Sequence, residues 1–352
     1  MRSTQQTYKE TLQLICDILS FQNSVEDLKQ KIASTTIQWD PFVTIASDHL
    51  VLTTCYCRLS RKKLLSYLPK ELETYMEELT RINRNRNHSL LHQVDNISNI
   101  FNKNAINYTL LKGTALMAGN YFEDLGERMV GDIDILVEKT QINKAQELLI
   151  HEGYESVKQT LRAKYFDDKH LPRLIPNHFI GAVELHSKVL TKPYNSKLRA
   201  EDLLRLKTGI GNTSIPSDHN LLEHSILNFQ INDSGHFYNA MSIRSLYDAL
   251  TILKTLTKTD ASFFELNYVK SFTSIGKLFF NDFDRLSLST FQSRLFLKRI
   301  QSPFLKKTTD VLLKKTMFIM LISNRIFLFT KNKHYRLDII KDYRRIFSII
   351  KS

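Results

Sequence analysis

The chain has 352 residues and a formal net charge of +13, long enough for two or three domains of ordinary size. With 42% hydrophobic and 24% charged residues it can bury a core, which excludes a disordered or low-complexity protein. The three cysteines, Cys16, Cys55 and Cys57, are too few and wrongly spaced for a disulfide framework or a zinc module. They fit small buried thiols in a reducing, cytoplasmic setting.

The N-terminal stretch MRSTQQTYKETLQLI is polar and carries no signal-peptide core. Residues 1–103 read as a helical region, because LQLICDIL, VEDLKQKI and the run from SRKKLLSYL to NISNIF place apolar residues three and four apart. Pro41 and Pro69 punctuate it. Over 104–200 the pattern changes, and five of the ten glycines, Gly113, Gly119, Gly126, Gly131 and Gly153, gather between 113 and 153. INYTLLKG reads as a strand ending at a glycine turn, and TALMAGNYF as a short helix starting near Thr114. VGDIDILV reads as a second strand, INKAQELLIHEGY as a helix capped by Gly153, and AVELHSKVL as a third strand. The expected fold class is therefore α+β, an α/β core between two helical regions. Over 201–352 the helical pattern returns, in HNLLEHSILNF and MSIRSLYDALTILKTL. Arg244, Tyr247 and Asp248 fall within one turn there. They read either as cleft-facing residues or, more simply, as a surface salt-bridge group.

The charge is concentrated at one end. From Arg294 onward fifteen basic residues face three acidic ones, a net +12, which points to an anionic partner such as nucleic acid, an acidic protein or a membrane surface. The longest apolar stretch, MFIMLISNRIFLF at 317–329, is interrupted by Ser323-Asn324-Arg325 and is too short to span a bilayer.

Three patterns carry no site. Gly126 and Gly131 have P-loop spacing, but Asp132 and Ile133 stand where a P-loop needs Lys and Ser/Thr. Gly209-Ile210-Gly211 lacks the third glycine of a dinucleotide fingerprint. His170, His178 and His186 recur every eight residues without zinc-ligand spacing.

Three other pieces belong together. In LLKGTAL, residues 110–116, a strand runs through a glycine into a helix start, an arrangement that receives anions. Gly113 admits close approach, Lys112 brings a charge and Thr114 a hydroxyl. Asp132-Ile133-Asp134 puts two carboxylates on one face of a strand, a donor set for hard divalent cations that also hold phosphates. Glu184, in the apolar strand AVELHSKV, supplies a third carboxylate as metal ligand or as base if its strand lies beside the pair.

In this order the pieces resemble the polymerase-β-like nucleotidyltransferases, and within them the uncharacterised nucleotidyltransferase family proteins. The matching stretches are LLKGTALMAGNYF, ERMVGDIDILV, KAQELLIHEGY and VELHSKV, with IPSDHNLLEHSILNF and IRSLYDALTIL further on, covering about residues 40–255. The resemblance implies a mixed sheet flanked by helices, with residues 104–200 as the catalytic core. It also implies Mg²⁺, or Mn²⁺, at a site of up to two metals held by Asp132, Asp134 and Glu184. Lys112, Gly113, Thr114 and Arg128 would bind the NTP, Arg128 as a phosphate clamp, and His186 would stand behind the acids. The implied reaction moves a nucleoside monophosphate to a hydroxyl acceptor. Thr114 departs from the superfamily's usual Gly or Ser, and Ser187 stands where an aromatic residue is expected. A Lys-Gly-Thr-Ala-Leu turn is also similar to that of nucleotidyltransferase-like toxins, and a non-catalytic nucleotide- or nucleic-acid-binding protein on the same fold stays open.

Overall fold

The computed structural model describes residues 7–34, 37–157, 165, 169–286 and 288–341. Arg344, Arg345 and Lys351 of the basic tail lie outside the described residues. The helical N-terminal region comprises α1 (Tyr8–Leu19), α2 (Val25–Ser34), α3 (Trp39–Asp48), α4 (Leu52–Arg61) and α5 (Lys70–Lys103). Thr7 and Glu10 form a reciprocal cap at the start of α1. Pro69 precedes α5, whose buried face follows a three- and four-residue spacing through Met76, Thr80, Asn83, Asn87, Leu90, Val94, Ile97 and Phe101. The cysteines are free and buried, on α1 and α4.

The central region forms one mixed sheet. Its elements are β1 (Tyr108–Leu110), α6 (Lys112–Ala118), β2 (Ile133–Val137), α7 (Ile142–His151), β3 (Tyr154–Ser156), β4 (Leu174–Pro176) and β5 (Val183–His186). The strand order is β1-β2-β5-β4-β3. β2 runs parallel to β5, and the other neighbours are antiparallel. All five residues of β2 are buried, as a parallel strand covered on both faces requires. The three strands expected from the sequence are β1, β2 and β5. β3 and β4 were not expected, since each has three residues and alternates only weakly in burial.

Long helix α5 splints the loop that leads into β2. Asn83 donates to the Gly126 carbonyl at 2.8 Å, and Asn87 donates to those of Leu125 at 2.6 Å and Arg128 at 2.7 Å. Arg84 forks onto Asp124 at 2.8 and 2.7 Å. From α4, Thr54 donates to the Glu127 carbonyl at 2.7 Å. A side chain at Gly126 would meet the Thr80 carbonyl at 2.9 Å, so loop and helix touch backbone to backbone. Asn87→Ala leaves the Leu125 carbonyl without its donor and the Arg128 carbonyl with Asn83 alone, at 3.2 Å. We expect it to cost about 1–3 kcal/mol in urea unfolding, a size that an exposed α5 substitution such as Glu78→Ala does not reach.

The C-terminal region begins with α8 (Ala200–Arg205) and a hairpin of β6 (Lys207–Ile210) and β7 (Thr213–Pro216). Gly211, at φ +57°, turns the hairpin, which accounts for the Gly-Ile-Gly pattern. The hairpin leans on β1, where Ser214 Oγ donates to the Tyr108 carbonyl at 2.8 Å. α9 (Asp218–Leu227) runs into a π-helical turn, Asn228–Asn232. There follow α10 (Gly235–Tyr238), α11 (Ile243–Leu253), α12 (Ala261–Phe264), α13 (Asn267–Gly276), α14 (Phe291–Gln301), α15 (Pro303–Lys331) and α16 (Lys333–Lys341). α9 and α11 pack on each other, and α9 touches α6. Among the described residues no helix is long and apolar enough to cross a membrane.

Candidate active site

The glycine turn differs from its expected form. α6 starts at Lys112, two residues before Thr114, and it is Lys112 that takes the left-handed conformation, at φ +52°. A non-glycine residue there costs on the order of 1 kcal/mol, a cost often met at functional sites. Gly113 is needed for packing instead, because a Cβ would lie 2.9 Å from Val130 Cγ2 and 3.6 Å from Arg128 Cζ. The turn is tied to the acidic segment twice. Lys112 Nζ lies 2.6 Å from Asp134 Oδ1, and Thr114 Oγ1 donates to the Asp132 carbonyl at 3.2 Å.

Asp134 and Glu184 face each other in register across the parallel pair β2–β5. His186, two residues beyond Glu184, shares its face of the strand, and its Nε2 lies 2.8 Å from Asp134 Oδ1. Asp134, Glu184 and His186 each offer a ligand atom within 4.8 Å of the others. Asp132 stands one residue before β2 rather than on it and joins the group through Arg173. That guanidinium bonds Asp132 Oδ2 at 2.9 Å and Glu184 Oε1 at 2.8 Å. Three carboxylates thus converge, with Lys112 and Arg173 as their counter-charges. His170 also reaches the cluster, 5.2 Å from His186 between ring centroids, whereas His178 is exposed.

The electrostatics separate the acids. Burial opposes the charge of Asp134, but the His186 hydrogen bond and the Lys112 ammonium outweigh it and hold its carboxyl far below the usual range. Burial likewise opposes Glu184, and the Arg173 bond brings its pKa down. Asp132 goes the other way. Burial raises it, and the Asp134 and Glu184 charges add to that. His186 is lowered by burial, so a neutral ring donating from Nε2 is the tautomer that suits an ionised Asp134.

Arg128 does not stand open. Its Nε and Nη2 fork onto Asp248 at 2.8 and 2.9 Å, a buried pair linking the β2 loop to α11. Tyr247 is buried too and donates to Glu127. Asp248 and Tyr247 are therefore interior clamps on this loop, not members of a surface salt-bridge group.

Beside Lys112 lies a cavity, walled also by Arg128, His224, Asn228, Arg244 and Asp248. Two of its walls, His224 and Arg244, and the nearby Lys169 are unengaged among the described residues. His224 is 2% exposed, and its ring has no hydrogen-bond partner among the described residues. Burial, with Lys112 and Lys169 nearby, takes its pKa down to about 3. Arg244 makes no ion pair among the described residues, and burial followed by Arg128 lowers its pKa. The Lys169 ammonium is likewise unpaired among the described residues, and its pKa falls through burial and Lys112. Arg173, Lys169 and His224 were not singled out in the sequence, since no local motif marks them. Only the pairing of β4 with β5 and the packing of α9 on α6 bring them to the acids.

The buried His224 makes stability depend on pH. Its folded pKa of about 3 lies below the usual histidine value of about 6.5. Between the two the unfolded chain binds the extra proton, so stability is full above about pH 6.5 and drains away as pH falls. Acidification from pH 7 to pH 5 is expected to cost about 2 kcal/mol through this group. His224→Gln should remove that share of the pH dependence in urea melts, and an unchanged slope would contradict it.

No curated protein shows significant sequence similarity to the chain. Among solved structures, an antigenic nucleotidyltransferase-like protein from Paracoccidioides brasiliensis is similar at 15% identity and a TM-score of 0.34. The match covers 57% of this chain and 87% of that one. The family model described as an uncharacterised nucleotidyltransferase matches residues 35–265, a span that holds the Lys112 turn, the acids and α11. Since that match takes in more than half of its length, the chain belongs to the uncharacterised nucleotidyltransferase family.

Proposed function

We propose that the chain moves a nucleoside monophosphate from an NTP to a hydroxyl acceptor. The observation that carries this reading is the convergence of Asp132, Asp134 and Glu184 beside the Lys112 turn. The acceptor oxygen bonds to the α-phosphorus while the bond from that phosphorus to the bridging oxygen breaks. Pyrophosphate leaves with the electron pair. The hydroxyl proton passes to one of the carboxylates of the cluster.

The donor set fits Mg²⁺ or Mn²⁺, since it offers hard carboxylate oxygens that already draw two cationic side chains. Asp134 and Glu184 would hold the ion, Asp132 would complete the set once released by Arg173, and His186 would fix the Asp134 carboxylate. When bound, such an ion neutralises phosphate charge in the transition state. Lys112, Lys169 and Arg244 are the cations disposed to receive the phosphates, with Gly113 and Thr114 forming the turn. Arg128 acts at one remove, through Asp248, by fixing the loop that delivers Asp132.

The test is pyrophosphate release by the full chain with each ribonucleoside triphosphate, with Mg²⁺ or Mn²⁺, in the presence of cell extract as acceptor source. Release that stops with chelator is expected. Tight nucleotide binding without release in any combination would favour a non-catalytic nucleotide-binding protein.

A further inference from the structure

Helix α15 presents a surface that the reaction site does not use. It runs for 29 residues, and none of them is buried. Phe318, Ile319 and Phe327 are each 65% exposed. Between 317 and 329 apolar side chains leave the helix in every direction, a pattern that belongs in a core or against lipid. The helix is not loosely attached. Near its start Arg299 Nη2 pairs with Asp310 at 2.5 Å, and Lys306 Nζ sits 4.6 Å from the centroid of the Tyr8 ring. Beyond its end, in α16, Tyr335 is 4% exposed and packs edge-on against Tyr165 at 5.1 Å, while Tyr165 donates to Asp338 at 2.5 Å. The body holds both ends of this arm and turns its middle outward.

The charges around the apolar segment decide what it suits. Over residues 303–341 nine basic residues face two acidic ones. Lys314 and Lys315 stand on one side of the segment, and Lys331, Lys333 and Arg336 on the other. We propose that this segment docks on an anionic lipid surface, with the apolar stretch of α15 seated at the boundary of headgroups and acyl chains and the flanking lysines reaching the phosphates. An interface with a second copy is less well matched, because protein interfaces are depleted in lysine. A nucleic-acid track is less well matched too, because Arg325 is the one cation between Lys315 and Lys331. The proposal is independent of the reaction assigned above.

The experiment is co-sedimentation of the full chain with vesicles of phosphatidylglycerol and phosphatidylcholine, with phosphatidylcholine vesicles and vesicle-free protein as controls. The protein is expected to pellet with the anionic vesicles alone, and less so as salt rises. Phe318→Ser/Ile319→Ser/Phe327→Ser should weaken binding at least about tenfold, and Lys314→Glu/Lys315→Glu several-fold. These side chains are exposed, so both variants should melt as the wild type does. Failure of the wild type to pellet with anionic vesicles, or wild-type binding by the triple variant, would overturn the proposal. A lipid-indifferent dimer in light scattering that the triple variant converts to monomer would overturn it as well, and would give the face to a second copy.

Discussion

Asp134→Asn is expected to lower nucleotidyl transfer about a thousandfold with little loss of stability. Asp134 is the hub of the site, bonded to Lys112 at 2.6 Å and to His186 at 2.8 Å. It lies in register with Glu184. Asparagine keeps the size and one accepting oxygen but removes the charge that binds a cation and anchors the lysine. Two effects on stability oppose each other. Lys112 loses its partner, yet the repulsion that Asp134 exerts on Asp132 and Glu184 is also relieved. The Lys112 side chain is 30% exposed and keeps some water, so the net change should stay within about 1–2 kcal/mol. Steady-state kinetics beside a urea melt checks both halves. Near-wild-type turnover would sink the site assignment, and a collapsed melt would reassign Asp134 to architecture.

The largest stability effect is expected at Arg128. Both side chains of the Arg128–Asp248 pair are 9% exposed, and Arg128→Met leaves the Asp248 carboxylate buried without its partner. Breaking such a pair costs about 3–5 kcal/mol. Replacing both partners, as Arg128→Met/Asp248→Leu, should recover most of that, because no buried charge is then left alone. Urea unfolding of the two single variants and the double variant measures the coupling. This result separates the structural reading of Arg128 from the clamp expected on the sequence. A phosphate clamp would show as a raised KM for NTP with an unchanged melting midpoint, and that outcome would restore the sequence reading.

Parts of the molecule were legible because they are local. The run Ile133-Asp134-Ile135-Leu136-Val137 marks a buried strand that tolerates a charge only for a reason. Glu184 repeats that signal in β5. The spacing of apolar residues along α5 marked a long helix before any partner was known. The geometry of the turn was less legible, since glycine is the usual bearer of positive φ, and here the neighbouring Lys112 bears it while Gly113 yields space to Val130. Apart from the acids and Lys112, the non-local contacts were not legible. Arg128 and Asp248 are 120 residues apart, and Arg173 reaches Glu184 only because β4 returns antiparallel to β5. His224 and Arg244 sit on separate helices with no shared motif. In each case the chemistry depends on which elements pair, and that is settled by burial of whole faces rather than by residue spacing.

Whether the acid cluster beside the Lys112 turn transfers a nucleotide is decided by the fate of the label in α- and γ-labelled NTP. The α-phosphate label is expected to become attached to the acceptor in a metal-dependent way, while the γ-label leaves as pyrophosphate, and Asp134→Asn is expected to stop both. Appearance of the γ-label on the acceptor, or bound NTP that turns over neither label, would contradict it.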